Sequence, residues 1–451
     1  MNSLRNARPL AIDLFAGAGG MSLGFEQAGF DIAAAVEIDP IHCATHKFNF
    51  PKCVVMAQSV VSLTGAEIRL RAGIGNRDID CVFGGAPCQG FSLIGYRVLD
   101  DPRNGLVKEF VRLVCELNAR SFVFENVKGL TLGNHKAFLN QLVTAFEAAG
   151  YSMRLPWKVL NSANYGVPQN RERLFLMGIR NEINIPDYPD AVSSPAGQRK
   201  LQGNLPLGPT VSDAINDLPN ADDFSELVLS DKVKTGRFGR PSEYAAELRC
   251  MTENAWHFSY KREWRPDVMT SSARTEHSEI SKRRFSETPQ GKAEPISRFF
   301  RLPADGICNT LRAGTDGSRG AFTSPRPIHY DKPRCITVRE MARLHGFPDW
   351  FRLNATKWHG ARQIGNSVPP PLARAIAMQV IKALEIMPTL PTEVLRLGEE
   401  ILLHFNLSEA AAHFGIEAPN QRRDRKSGIV KRKQADIERV RVALREGVAH
   451  G

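Results

Sequence analysis

Ala11-Ile12-Asp13-Leu14-Phe15, followed by Ala16-Gly17-Ala18-Gly19-Gly20-Met21-Ser22, is the stretch that decides the fold. The apolar run reads as a buried strand and the glycines as a tight turn. The residues from about Met21 to Ala28 read as a helix that Gly29 caps. The same alternation continues outward. Phe30–Val36, Ile79–Phe83, Ser121–Glu125 and Leu174–Ile179 are strand-like. Between them, Leu106, Phe110, Leu113, Val114 and Leu117 recur at helical spacing, and Lys136–Ala149 is amphipathic up to Gly150. Strands alternating with helices predict an α/β fold, a parallel sheet with helices on both faces.

The chain has 451 residues, which at about 150 residues per domain suggests two or three domains. No apolar run reaches the ~18 residues of a membrane helix. The start, Met1 to Pro9, lacks the apolar core of a signal peptide, so a cytoplasmic location is expected. None of the eight cysteines forms a C-x-x-C pair, and no Cys/His cluster has zinc spacing, so no metal is expected. The net charge of +11 points to a polyanionic partner.

Reactive and polar groups fall repeatedly at strand ends, where open parallel sheets bind their ligands. The glycine loop can turn backbone N–H groups toward a ligand. Glu37, about twenty residues on, can accept both hydroxyls of a ribose. Ser22 stands where a dinucleotide fingerprint needs its third glycine, and no basic residue is placed for a pyrophosphate. An adenosine cofactor without phosphates therefore fits better than NAD. Cys88, in Gly84-Gly85-Ala86-Pro87-Cys88-Gln89-Gly90-Phe91-Ser92, sits where a nucleophile belongs, although a lone cysteine is more often a small core residue. Glu125 closes another strand. Gln169, Arg171 and Arg173 share one face of an extended segment, and two arginines there can fix a carboxylate, a phosphate or a carbonyl oxygen.

Five segments, read in order, resemble the motif set of the DNA (cytosine-5)-methyltransferases. They are Phe15-Ala-Gly-Ala-Gly-Gly, Gly85-Ala-Pro-Cys-Gln-Gly-Phe-Ser, Glu125-Asn-Val, Gln169-Asn-Arg-Glu-Arg and Gln363-Ile-Gly-Asn-Ser-Val-Pro-Pro. Arg339 to Pro348 is similar to the family segment before the last motif. The resemblance covers roughly 10–180 and 333–385.

It implies a Rossmann-like fold that uses S-adenosyl-L-methionine to methylate C5 of a cytosine. Cys88 would be the covalent nucleophile at C6, and Glu125 would hold a proton at N3. Arg171 would hold O2, Arg173 would support the loop of Cys88, and Pro87 would keep the base in register. Cofactor contacts would come from Phe15, Ala16, Gly17, Gly19, Gly20, Glu37 and Ile38, with Asn366 and Ser367 closing the pocket. Where the family usually has an acidic residue for the adenine amine, this chain has Ser59, so weaker cofactor binding is expected.

From about 185 the periodicity weakens and proline, glycine and serine become frequent, which reads as a separate irregular domain or a large insertion, and Pro388 and Pro391 mark a further boundary. With the resemblance, this divides the chain into a catalytic part (1–184), a target-recognition domain (185–332), a returning catalytic part (333–390) and a basic helical extension (391–451). The extension reads as a helix over Val394–Phe405 and a short one from Ser408, with basic clusters that suit either a small helix-turn-helix accessory or a solvated tail. Double-stranded DNA is the implied partner, bound by a monomer that flips its target base while Leu93–Leu106 closes over it. A cognate restriction endonuclease acting on the same site is expected. The competing readings are an RNA (tRNA) cytosine-5 methyltransferase, a catalytically inactive DNA-binding relative, and an NAD-dependent oxidoreductase.

Overall fold

Strand β1 (Leu10–Leu14) is buried along its whole length and lies inside an eight-stranded sheet. The computed structural model describes residues 8–87, 105–131, 135–197, 203–315, 323 and 325–418. After β1 come α1 (Gly20–Ala28), β2 (Asp31–Glu37), α2 (Pro40–Asn49), β3 (Val54–Ala57) and α3 (Gly65–Arg71). Then follow β4 (Cys81–Gly84), α4 (Gly105–Glu116), β5 (Ser121–Val127), α5 (His135–Ala148), β6 (Tyr151–Met153), β7 (Lys158–Asn161) and β8 (Glu172–Arg180). The strand order is β3-β2-β1-β4-β5-β8-β6, with β7 also on β8.

Strand side chains alternate between faces, and the core follows that period. Ala11, Phe83, Val123, Phe175 and Met177 face one cluster, packed by Phe25 of α1. Ile12, Val82, Phe122, Phe124, Leu174 and Leu176 face the other, packed by Phe110 of α4 and by Phe138 and Phe146 of α5. A sheet covered on both faces needs strands that are apolar on both, which is why β1, β4 and β5 read as continuous runs.

The sheet is mostly parallel, with β8 reversed: it pairs antiparallel with β5, β6 and β7. Only residues 162–171 separate β7 from β8, too short a stretch for a helical crossover, so β8 returns antiparallel. The sheet is thus mostly parallel, as expected, and the reversal of β8 sets the geometry of the cleft.

Among the described residues, 185–332 carry helices α6 (Val211–Ile215), α7 (Glu243–Leu248) and α8 (Glu279–Glu287), with short strands β9 (Val233–Lys234), β10 (Lys261–Glu263) and β11 (Val268–Met269). Part of this region has small cores of its own, around Phe224, Leu227 and Met269 and around Phe285 and Ile328. Tyr188, Val211, Ile215, Leu302 and Leu311, however, belong to the main core, and Trp256 stacks on Trp350 at 5.7 Å. The returning part supplies α9 (Val338–Leu344), α10 (Lys357–Asn366) and α11 (Pro370–Ala383). Helix α11 lies so close on α1 that a Cβ on Gly24 would sit 2.4 Å from Ala373 Cβ.

The extension differs from the helix expected over Val394–Phe405. It forms β12 (Val394–Arg396), parallel to β10, then a 3₁₀ turn (Glu400–Leu403) and α12 (Leu407–His413). Leu395 is buried between exposed Val394 and Arg396, a period of two. Gly398 N–H then bonds Phe48 O of α2 at 2.9 Å, and Leu402 and Leu403 pack on Ala44 and Phe48. The extension is thus docked on α2 as far as Phe414; its basic clusters from Arg422 onward lie outside the described residues.

Candidate active site

The chain runs from β1 toward β3 on one side and from β4 toward β5 on the other, so the order reverses between β1 and β4. A crevice opens at such a switch point, beyond the carboxyl ends of the strands. Here it is a cleft of about 670 Å³. The two strands run so close that a Cβ on Gly84 would lie 1.9 Å from Leu14 O.

One half of the cleft is built on β1, β2 and β3. Phe15, Gly17 and Gly19 all have positive φ (65°, 55° and 99°), and this turns the loop back over the end of β1. Phe15, Ala16, Gly17 and Gly20 line the cleft. Gly19 lies outside the lining: its Cα faces Phe50 and His46, where a Cβ would come within 2.4 Å of the Phe50 ring. A side chain at Gly19 would therefore run into the core, so the turn needs glycine there. Glu37 is held by two backbone donors, Gly17 N–H to Oε2 and Asp39 N–H to Oε1, both at 2.9 Å. Ile38 is 63% exposed at the cleft and presents an apolar surface. Ser59 and Gln58 line the far end, and Ser59 Oγ also accepts weakly from Val61 N–H at 3.3 Å.

Asn366 and Ser367 come from the end of α10, some 350 residues from the glycine loop in sequence, yet line the same cleft. A Cβ on Gly20 would lie 2.7 Å from Val368 O and 2.8 Å from Ser367 Cβ, so glycine is needed for this wall to close.

The other half is built on β4, β5 and β8. Gly85, Ala86, Pro87, Glu125, Asn126 and Arg173 line it. The register pairs Glu125 with Phe175 and Val127 with Arg173, so Glu125 and Arg173 share a face two residues apart diagonally. Arg173 Nε lies 2.9 Å from Glu125 Oε1. Glu125 is buried, and burial raises its pKa above the ordinary carboxylate value, more than Arg173 and Arg171 lower it. A Cβ on Gly85 would lie 2.3 Å from Glu125 Oε2, so this glycine is what lets the carboxyl reach the loop. Asn126 Nδ2 donates to Ala86 O at 3.0 Å and ties the loop bearing Pro87 to β5. Cys88, the next residue, and the expected closing loop as far as Asn104 lie outside the described residues.

Arg171 departs from the role expected of it. It is fully buried and is absent from the cleft lining. Its guanidinium donates to Leu311 O (2.9 Å) and Gly365 O (2.7 Å), fastening the start of β8 both to the 185–332 region and to the returning segment. Arg173 instead stands at the cleft beside Glu125. Sequence spacing placed both arginines on one face, but only the surroundings of each, Arg171 just before β8 and Arg173 within it, separate a structural clamp from a cleft residue.

Asp13 was missed. It lines the cleft, is fully buried, accepts from Ser22 Oγ at 2.6 Å, and has its pKa raised to about 8, mainly by burial. An acidic residue in the middle of an otherwise apolar strand was the available signal.

The sequence profile of C-5 cytosine-specific DNA methylases matches residues 10–382. The chain is 56% identical over 411 residues to the type II methyltransferase M.XorII of Xanthomonas oryzae pv. oryzae, covering 91% of this chain and 93% of that one. It is 34% identical over 380 residues to the type II methyltransferase M1.HphI of Haemophilus parahaemolyticus, covering 82% and 86%. Among solved structures, a putative DNA modification methyltransferase encoded within an E. coli prophage superposes with a TM-score of 0.66 at 32% identity, over 83% of this chain and 99% of that one.

Proposed function

This chain belongs to the C-5 cytosine-specific DNA methylase family, and on that premise we propose how its cleft divides the reaction. It is a DNA (cytosine-5)-methyltransferase of the type II modification class. The half on β1, β2 and β3 fits S-adenosyl-L-methionine. Glu37 is oriented by two N–H donors toward a ribose, Ile38 offers an apolar face, and the glycine cradle closes on Ser367 and Val368. When bound, this cofactor supplies an electrophilic sulfonium methyl.

The half on β4, β5 and β8 serves the cytosine, which must leave the duplex to reach it. Addition of the Cys88 thiolate at C6 makes C5 nucleophilic. Electron flow into the ring is eased by a proton at N3, and the raised pKa of Glu125 favours the form that carries one. Arg173 holds Glu125 in place and is the cation positioned for the base carbonyl O2, while Arg171 keeps the wall behind it. The observation that carries this reading is the Glu125 carboxyl, buried and pinned between Arg173 and Gly85 at the loop that leads into Cys88.

The chain acts as a monomer on a specific duplex sequence, and its methyl mark protects that sequence from a cognate endonuclease. A duplex carrying 5-fluorocytosine at the target should trap a covalent adduct with the full chain and cofactor. Bisulfite sequencing of DNA from expressing cells should show one modified sequence. An unmodified genome together with no adduct would overturn the assignment.

A further inference from the structure

Gln169, His345 and Ser367 come from three separate parts of the chain and meet in the core behind the cofactor half of the cleft. Gln169 and His345 are both fully buried. Gln169 Oε1 accepts from Leu311 N–H at 3.1 Å, which fixes which way the amide points. Its nitrogen, able only to donate, then faces Leu344 O at 3.2 Å and His345 Nδ1 at 2.9 Å. Nδ1 must therefore be the acceptor, and the ring proton belongs on Nε2. Nε2 lies 3.1 Å from Ser367 O and donates to it. A second proton on the ring would set Nδ1–H against the Gln169 N–H, so the neutral ring is the form that fits. Burial, and next the charge of Arg171, hold the ring well below the ordinary histidine pKa.

Ser367 is gripped from several sides. Its N–H bonds Ile364 O at 3.1 Å, its Oγ donates to Gln363 O at 2.7 Å, and its Cβ faces Gly20 of the glycine loop. Within this grip, the His345 bond reaches the carbonyl of Ser367 from the C-cap of α9. The imidazole is itself held parallel to the Phe347 ring at 5.7 Å.

We infer that His345 is a positioning residue for the methyl-transfer reaction: through the relay Gln169–His345–Ser367 it sets the closing wall of the cofactor cleft against the glycine loop. The inference rests on the cofactor reading above. His345 touches neither reactant, so its loss should weaken cofactor binding far more than it slows turnover at saturating cofactor.

The test uses the full chain with S-adenosyl-L-methionine, measured by titration calorimetry and by steady-state methyl transfer to duplex DNA. His345→Phe keeps the ring stack on Phe347 and removes both hydrogen bonds. It should raise the cofactor Kd and KM about tenfold, the size of a lost buried hydrogen bond, and leave kcat within about threefold. His345→Gln can accept from Gln169 and donate to Ser367 O, and it should recover most of the affinity. If His345→Phe does not fold, Gln169→Met breaks the relay at its other end and should raise KM in the same way. An unchanged Kd in a folded variant, a loss confined to kcat, or no rescue by glutamine would overturn the inference. Wild-type protein that bound no cofactor would instead overturn the functional reading, and this inference with it.

Discussion

The two halves of the cleft are built by different physics. The cofactor half is mostly local: β1, the glycine loop, α1 and β2 follow one another, Glu37 is oriented by backbone N–H groups twenty and two residues away, and only the closing wall of Asn366 and Ser367 comes from afar. Its walls are set by glycines that let backbone and ligand approach closely. The base half is non-local and held by side chains. Gly85, Glu125 and Arg173 come from three strands, and a buried ion pair defines the position of the carboxyl. A ligand that is the same in every turnover is met by rigid backbone. A base that must enter, react and leave is met by groups whose protonation matters.

This contrast predicts that mutations in one half should leave the other untouched. The largest effect belongs to Cys88→Ala. Methyl transfer should fall by about four orders of magnitude or more, with cofactor Kd nearly unchanged. A variant that also lost cofactor binding would break the division.

Gly85→Ala comes next. Its new Cβ would stand 2.3 Å from Glu125 Oε2 and push the carboxyl off Arg173, so kcat should drop about a hundredfold while cofactor Kd holds. The pH profile sharpens the same point. The useful form of Glu125 is the protonated one, and burial raises its folded pKa, so that form is present below this pKa and is lost as pH rises through it. kcat should therefore show an alkaline fall that Glu125→Gln, already slow, does not show.

In the opposite half, Glu37→Gln should weaken cofactor binding roughly tenfold to a hundredfold, the range for a hydrogen bond to a charged group, with kcat at saturation nearly intact. The smallest effect is a gain. Ser59→Asp adds a charged acceptor at the far end of the cofactor half and should tighten binding by about threefold to tenfold in calorimetry.

Legibility in the sequence follows the same division. The strand, glycine turn and helix at 11–28 were readable because each signal is local: an apolar run, residues that accept positive φ, and a 3.6-residue period. Glu37 was readable because its distance from the loop is set by one helix and one strand. The arginine roles were not. Gln169, Arg171 and Arg173 alternate correctly, yet nothing in the spacing tells which guanidinium meets carbonyls in the core and which meets Glu125. Residues 185–332 read as a separate domain because their periodicity is weak, and much of their apolar surface is spent on the main core through Tyr188, Ile215, Leu302 and Leu311.

By itself the sequence determined the α/β architecture, the glycine loop after β1 and the inventory of reactive groups, because these depend on residue type and short-range spacing. Only the tertiary structure decided the direction of β8. Had β8 run parallel to β5, its start would lie at the opposite edge of the sheet, and Arg173 would be a sheet's length from Glu125. The ten residues between β7 and β8 leave no room for a crossover, so the strand turns back, and that reversal assembles the base half of the cleft.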